Sequence, residues 1–271
     1  MAAPNVVSID ARIASVVAEP AVWNIVSRHA RVININYRGV LISLVQPAVA
    51  YGPRQIRLSR LPNTNQELGD LFPICRATTF HCDLPSFAES CVNEKILLLA
   101  YQALCRVGRP ARDCFSEALQ KRLQSAILDL LKSLDERSDC TQAVNKLVGL
   151  GQGLTPSGDD FLCGLLLSGS CASSPYQTQM TSVKRSILGC EAQTHPVSFA
   201  FLADAMSGQV SQPVEILLRV LHGEALCTPH AALEAVTCLG HRSGFDILSG
   251  LIAGFRIPIT WRNNLCPFIP Y

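Results

Sequence analysis

Charge is scarce in this sequence. Of 271 residues only 16% are Asp, Glu, Lys or Arg, and the two signs nearly cancel, 23 basic against 21 acidic. With 48% hydrophobic residues, the composition excludes a disordered chain and predicts a sizeable core in one large domain or two smaller ones. Aromatic residues reach only 6%, and no basic cluster is interleaved with them, so there is no footprint for nucleic acid. Long apolar runs are missing as well. Stretches such as Ile96 to Ala100 and Leu165 to Leu167 fall far short of a membrane span. The opening Met1-Ala-Ala-Pro-Asn5 carries neither the basic nor the apolar region of a secretory signal, so a soluble, cytoplasmic protein is expected.

Cysteine is plentiful, at 12 residues, but paired spacing is absent: from Cys75 to Cys266 there is no C-x-x-C. A zinc site would want ligands two to four residues apart, which His81 and Cys82 alone do not supply. The expectation is reduced cysteine, used as a small buried hydrophobe. The first sixty residues hold seven arginines (12, 28, 31, 38, 54, 57 and 60) against Asp10 and Glu19. Solvated strand faces are the favoured reading, an anion-attracting surface the other.

Up to about Cys82 the hydrophobic period is two. Val7, Ile9, Ala11 and Ile13 alternate with polar residues, and so do Ile33, Ile35 and Tyr37; Gly39 then offers a turn into Val40–Val45, predicting a hairpin. Ile56 and Leu58 continue the pattern, which predicts an antiparallel sheet or small barrel. From Ser86 the period turns helical. Ser86 and Glu89 have capping-box spacing for a helix to about Gly108, and Phe115, Leu119, Leu123, Ile127 and Leu131 mark a second. Pro213 and Pro229 sit at first helical positions, and Gly208, Gly223 and Gly240 where helices should end. The pattern predicts about eight helices and no strand after residue 90. The fold class is α+β, with a β-rich domain over 1–84 and an all-helical domain over 85–271.

Between two predicted helices lies Gly149-Leu-Gly-Gln-Gly-Leu-Thr-Pro-Ser-Gly-Asp-Asp160, preceded by Ala143, Val144, Leu147 and Val148 at helical spacing. A dinucleotide fingerprint needs a strand before it and G-x-G-x-x-G; here the spacing is G-x-G-x-G after a helix. A P-loop needs a lysine after Gly158, where this chain has Asp159. Ser157 and Asp160 instead resemble a capping box, and Ser243-Gly-Phe-Asp246 repeats it 86 residues later. The likeness continues through Leu162/Leu248 and Gly164/Gly250, so two helices should begin alike and pack closely through these glycines. Capping leaves Asp159 and the upstream glycines unexplained. Free N–H groups at a helix start suit an anion, and adjacent carboxylates suit Mg²⁺ or an amide. Spacing identifies no Ser-His-Asp or Cys-His nucleophile, and Cys163 lies in an apolar helix, where packing explains it.

The segments Gly149–Gly164 and Leu239–Gly250 resemble a bacterial family of unknown function that includes the AllH-type subunit of oxamate carbamoyltransferase, from allantoin degradation. Thr194-His-Pro-Val-Ser198, continuing through Leu202 and Gly208, is similar to the family's intermediate block, and Gly52-Pro53 to its N-terminal one. The resemblance implies phosphorolysis of oxalurate to oxamate and carbamoyl phosphate, which a carbamate kinase can use to make ATP. It implies partner subunits, with oxalurate or oxamate and phosphate or carbamoyl phosphate as small-molecule partners; the composition argues for neither nucleic acid nor membrane. Such transfer needs oxyanion stabilisation and a proton for the leaving amide nitrogen. The catalytic candidates are therefore Asp159, Asp160 and His241. Gly151, Gly153, Thr155, Ser157, Gly158, Thr194, Ser198, Ser243 and Asp246 are the substrate-binding candidates. No metal is assigned unless Mg²⁺ is used, in which case Asp159 and Asp160 would hold it. The alternatives are a non-catalytic scaffold or regulatory subunit, and an enzyme on a related ureide or small carboxylate.

Overall fold

The computed structural model describes residues 4–87, 91–107 and 114–255. The chain divides into two compact units: Met1–Asp83 with Gln209–Gln212, and Leu84–Gly208 with Pro213–Tyr271.

The first unit is built on an open six-stranded sheet. Its strands are β1 (Val6–Asp10), β2 (Trp23–Arg28), β3 (Val32–Tyr37), β4 (Val40–Val45), β5 (Gln55–Leu58) and β6 (Thr78–Phe80), in the order β2-β3-β4-β5-β1-β6. The expected hairpin is β3–β4. Arg38 and Gly39 both take positive φ (55° and 80°), as a two-residue turn matching the twist of its strands requires. The sheet is mixed rather than antiparallel, because β4 pairs with β5 and β1 with β6 in parallel. The alternation from Val7 to Ile13 does not continue as one strand. Asp10 accepts the Arg12 N–H at 3.0 Å and turns the chain into a 3₁₀ segment and then α1 (Ala14–Val17). One sheet face carries Ile9, Ile33, Ile35, Tyr37, Ile42, Leu44, Ile56 and Leu58, all buried with Val17 of α1 and Leu68 of α2 (Asn65–Gly69).

Most of the arginines are tied into this unit rather than held out for a partner. Arg57 is 6% exposed, donating to the carbonyls of Pro47 (2.6 Å) and Val49 (2.5 Å) beneath the Tyr51 ring. Arg28 donates to Pro62 O, Arg60 pairs with Glu67, Arg38 with Glu19 and Arg12 with Asp10.

The described residues of the second unit form nine helices, one more than the expected eight: α3 (Glu94–Val107), α4 (Cys114–Asp135), α5 (Thr141–Leu147), α6 (Ser157–Gly169), α7 (Met180–Leu188), α8 (Pro196–Met206), α9 (Gln212–Leu221), α10 (Pro229–Thr237) and α11 (Ser243–Gly254). The first of these starts later than the Ser86 signal suggests. Ser86 and Phe87 are non-helical, Glu89 lies outside the described residues, and the cap is Asn93, whose Oδ1 accepts the N–H groups of Lys95 and Ile96. Pro229 follows the capping Thr228 as expected, and Gly208, Gly223 and Gly240 close α8, α9 and α10 with positive φ. Every residue of α6 from Gly158 to Gly169 is buried, which makes it the central helix of the unit. The described residues contain no helix long and apolar enough to cross a membrane, and no disulfide joins the cysteines whose side chains are described.

Candidate functional site

Two helices that read alike in sequence pack side by side. A Cβ added to Gly164 would strike the carbonyl oxygen of Ile247; one added to Gly250 would strike that of Phe161. These four positions map onto each other by the same 86-residue shift, so α6 and α11 contact reciprocally about a local pseudo-twofold axis. The starts of both helices come together as a result. Each start is wedged the same way, Gly158 against the carbonyl of Leu147 at the end of α5, and Gly244 against that of Val236 in α10.

The serines do not cap. Pro156 and Arg242 occupy the cap positions of α6 and α11, and neither makes a side-chain capping bond. The Ser243 hydroxyl turns across the interface to the Thr155 hydroxyl at 3.0 Å, and both bond the carboxyl of Asp160. No hydrogen bond engages the Ser157 hydroxyl among the described residues. The capping-box spacing is real, but the Ser243 hydroxyl finds its partners across the interface, at Thr155 and Asp160, rather than on its own backbone.

Asp160 and Asp246 are 5% and 4% exposed at these paired helix starts. Burial, reinforced by the nearby charges of Asp246 and Asp159, pushes the Asp160 carboxyl up to about 8 against the pull of its Ser243 and Thr155 bonds. Its Oδ2 is buried without a hydrogen-bond partner. At neutral pH Asp160 therefore holds a proton, which is the state a general acid needs.

Asp159 has a different task. It is fully buried; Oδ1 accepts the Gly149 N–H at 2.8 Å, and Oδ2 accepts the hydroxyls of Ser198 (2.7 Å) and Thr194. The two residues singled out from the Thr194–Ser198 block thus meet Asp159, which ties the first turn of α6 to the start of α8 and to the root of the glycine loop. With both oxygens engaged by protein donors, Asp159 lacks the open face that an Mg²⁺ site with Asp160 would require. Among the described residues, no three His, Cys, Asp or Glu side chains gather as a ligand set.

The loop itself runs through three left-handed or extended glycine conformations, with φ of 74° at Gly149, 146° at Gly151 and 89° at Gly153. Gly149 lies so close to the Gln193 carbonyl, and Gly151 to the Ser157 N–H, that neither has room for a side chain. The N–H groups of Gly151, Gln152, Gly153, Leu154, Thr155 and Ser157 have no acceptor among the described residues. They form a run of donors at the positive end of α6. His241 is exposed in the turn before α11, two residues from Ser243, and Cys163 is buried in α6. The partnership of Gly149 with Asp159 went unpredicted, since nothing local links a carboxylate to an amide ten residues upstream.

Residues 147–255 match the model of a family described as oxamate carbamoyltransferase subunit AllH. The match runs from the last residue of α5 to just past α11, so it contains the loop, Asp159, Asp160, the Thr194–Ser198 segment and both paired helices. The resemblance seen in the sequence is borne out over this segment. No solved structure matches the chain.

Proposed function

With the AllH match over residues 147–255 as premise, we propose that this chain is a subunit of a carbamoyltransferase that cleaves oxalurate with phosphate to give oxamate and carbamoyl phosphate. The reaction has two demands: anionic oxygens must be held, and the departing amide nitrogen must receive a proton. The observation that carries the reading is the pairing of an unbonded N–H run at the start of α6 with a buried carboxyl that keeps its proton near neutrality. The N–H groups serve carboxylate or phosphate oxygens, and Asp160 supplies the proton. Asp159, Thr194 and Ser198 position the loop rather than touch substrate. Other subunits complete the enzyme.

The test is reconstitution. The chain is mixed with its partner subunits, oxalurate and phosphate, and carbamoyl phosphate is read through ATP formation by an added carbamate kinase. Activity that needs this chain, and that falls ~100-fold or more with Asp160→Asn, is the expected result. Full phosphorolysis by the partner subunits alone would refute the proposal. A second reading, a non-catalytic scaffold of the same complex, draws on the burial of Asp159 and its full engagement by protein donors. It requires Asp160→Asn to leave turnover unchanged once assembly is intact.

A further inference from the structure

Beyond the C-terminal end of α6, about 20 Å of helix away from the glycine loop, the chain brings together a serine and a histidine that no sequence spacing connects. Ser173 Oγ lies 2.9 Å from His222 Nε2. The other ring nitrogen, Nδ1, lies 2.7 Å from the carbonyl oxygen of Leu218, which can only accept; Nδ1 therefore carries the proton. That fixes the tautomer. Nε2 is left as an acceptor, and the Ser173 hydroxyl is its donor. The ring is held flat against Phe87, with centroids 3.8 Å apart and planes within 5°, and edge-on to Phe255 at 5.7 Å. Burial keeps the imidazole below the ordinary histidine range, so it is neutral and able to take a proton. Ser173 itself is partly exposed, and the N–H groups of Ala172 and Ser173 have no acceptor among the described residues.

We infer that Ser173 and His222 form a nucleophilic dyad, a second reactive centre distinct from the glycine loop, that takes acyl groups from small uncharged esters. A hydroxyl, a base in hydrogen-bond reach and a third group orienting the base are the parts such a centre needs. The Leu218 carbonyl fills the orienting role, and the aromatic flanks favour an uncharged acyl group over an anion. In the reaction, Ser173 Oγ bonds to the ester carbonyl carbon as its proton passes to Nε2. The carbon–oxygen bond to the alcohol then breaks, and the alcohol leaves with that proton. Water releases the acyl group by the same transfers in reverse, so ester and water give acid and alcohol. The unbonded N–H groups of Ala172 and Ser173 are the donors available to the oxyanion.

The inference does not rest on carbamoyl transfer and is tested on the full chain alone. The protein is treated with p-nitrophenyl acetate and, separately, with an alkyl fluorophosphonate. Release of p-nitrophenolate is followed, and the adduct is located by peptide mass. An adduct on Ser173, absent in Ser173→Ala and formed ~100-fold more slowly in His222→Gln, is the expected result. No adduct on the wild-type chain, or an adduct confined to other residues, overturns the inference, and this reading needs no variant to fold. Equal labelling rates in wild type and a folded His222→Gln overturn it as well.

Discussion

Replacing Asp160 by asparagine should make the protein less sensitive to alkali. The buried carboxyl moves from an ordinary value of 3.8 to about 8 in the folded chain. Between these values the unfolded chain has lost the proton while the folded chain keeps it. Unfolding therefore releases a proton, and stability falls as pH rises, by about 1.4 kcal/mol per pH unit from this one group. Its favourable contribution is complete below about pH 4, shrinks through neutrality and is gone above about pH 8. The span is on the order of 5 kcal/mol if the group titrates alone, and less where Asp246 shares the proton. Asparagine has the same shape and no such proton. At pH 8 Asp160→Asn should be more stable than the wild type by a few kcal/mol, and the advantage should shrink by about 1.4 kcal/mol per unit as the pH falls toward 4. Denaturant midpoints read by far-UV circular dichroism at pH 5, 6.5 and 8 test this. Every other titrating group is common to both proteins, so the difference reports position 160 and its coupling to Asp246 and Asp159. Parallel curves for wild type and variant would refute the claim that Asp160 is protonated at neutrality.

Asp159 should behave in the opposite way. Asn at this position keeps one acceptor and turns the other into a donor aimed at two hydroxyls, so about 3 kcal/mol or more should be lost at pH 7, and an unchanged denaturant midpoint would contradict the tie described above. Gly164→Ala and Gly250→Ala should each lower the melting temperature, by similar amounts corresponding to about 1–3 kcal/mol, because each methyl meets a backbone carbonyl of the other helix. A neutral effect at either position would break the reciprocity. Asn93→Ala should cost about 1 kcal/mol of stability by removing the cap of α3, whereas Ser86→Ala should have no measurable effect on the same midpoint.

Features fixed by neighbours in sequence were readable in advance; features fixed across the fold were not. The Arg38–Gly39 turn depends on two residues and their flanking alternation, and it was legible. Thr228 before Pro229 is equally local. The Ser157 and Ser243 patterns were visible as a repeat, yet a spacing of three residues cannot tell whether a hydroxyl folds back on its own helix or reaches 88 positions away to Thr155. Strand β2 has no clean alternation because it is an edge strand with partly buried residues on both faces, and so its period carries little signal. Asp159 stood out as unexplained by capping, but its partners lie 10, 35 and 39 residues away. Ser173 and His222, 49 residues apart, share no motif at all.

The internal repeat also separates packing from the rest by subtraction. The two helix starts share Gly158 with Gly244, Asp160 with Asp246 and Gly164 with Gly250, and the close backbone contacts between the helices fall at the last of these pairs. The second start pairs just as closely while carrying Phe245 where the first has Asp159, and it has no run of positive-φ glycines before it. The close glycine contacts between the two helices come from the shared positions, and Asp159 is not among them. Three glycines in restricted conformations carry a conformational penalty, and a buried charge must be fully hydrogen-bonded to be tolerated. The first copy carries the glycine run and an additional buried carboxylate, Asp159, and the second has neither. What the first copy has in return is a held run of N–H groups with no acceptor among the described residues, beside the Asp160 carboxyl, and that difference is what the proposed chemistry draws on.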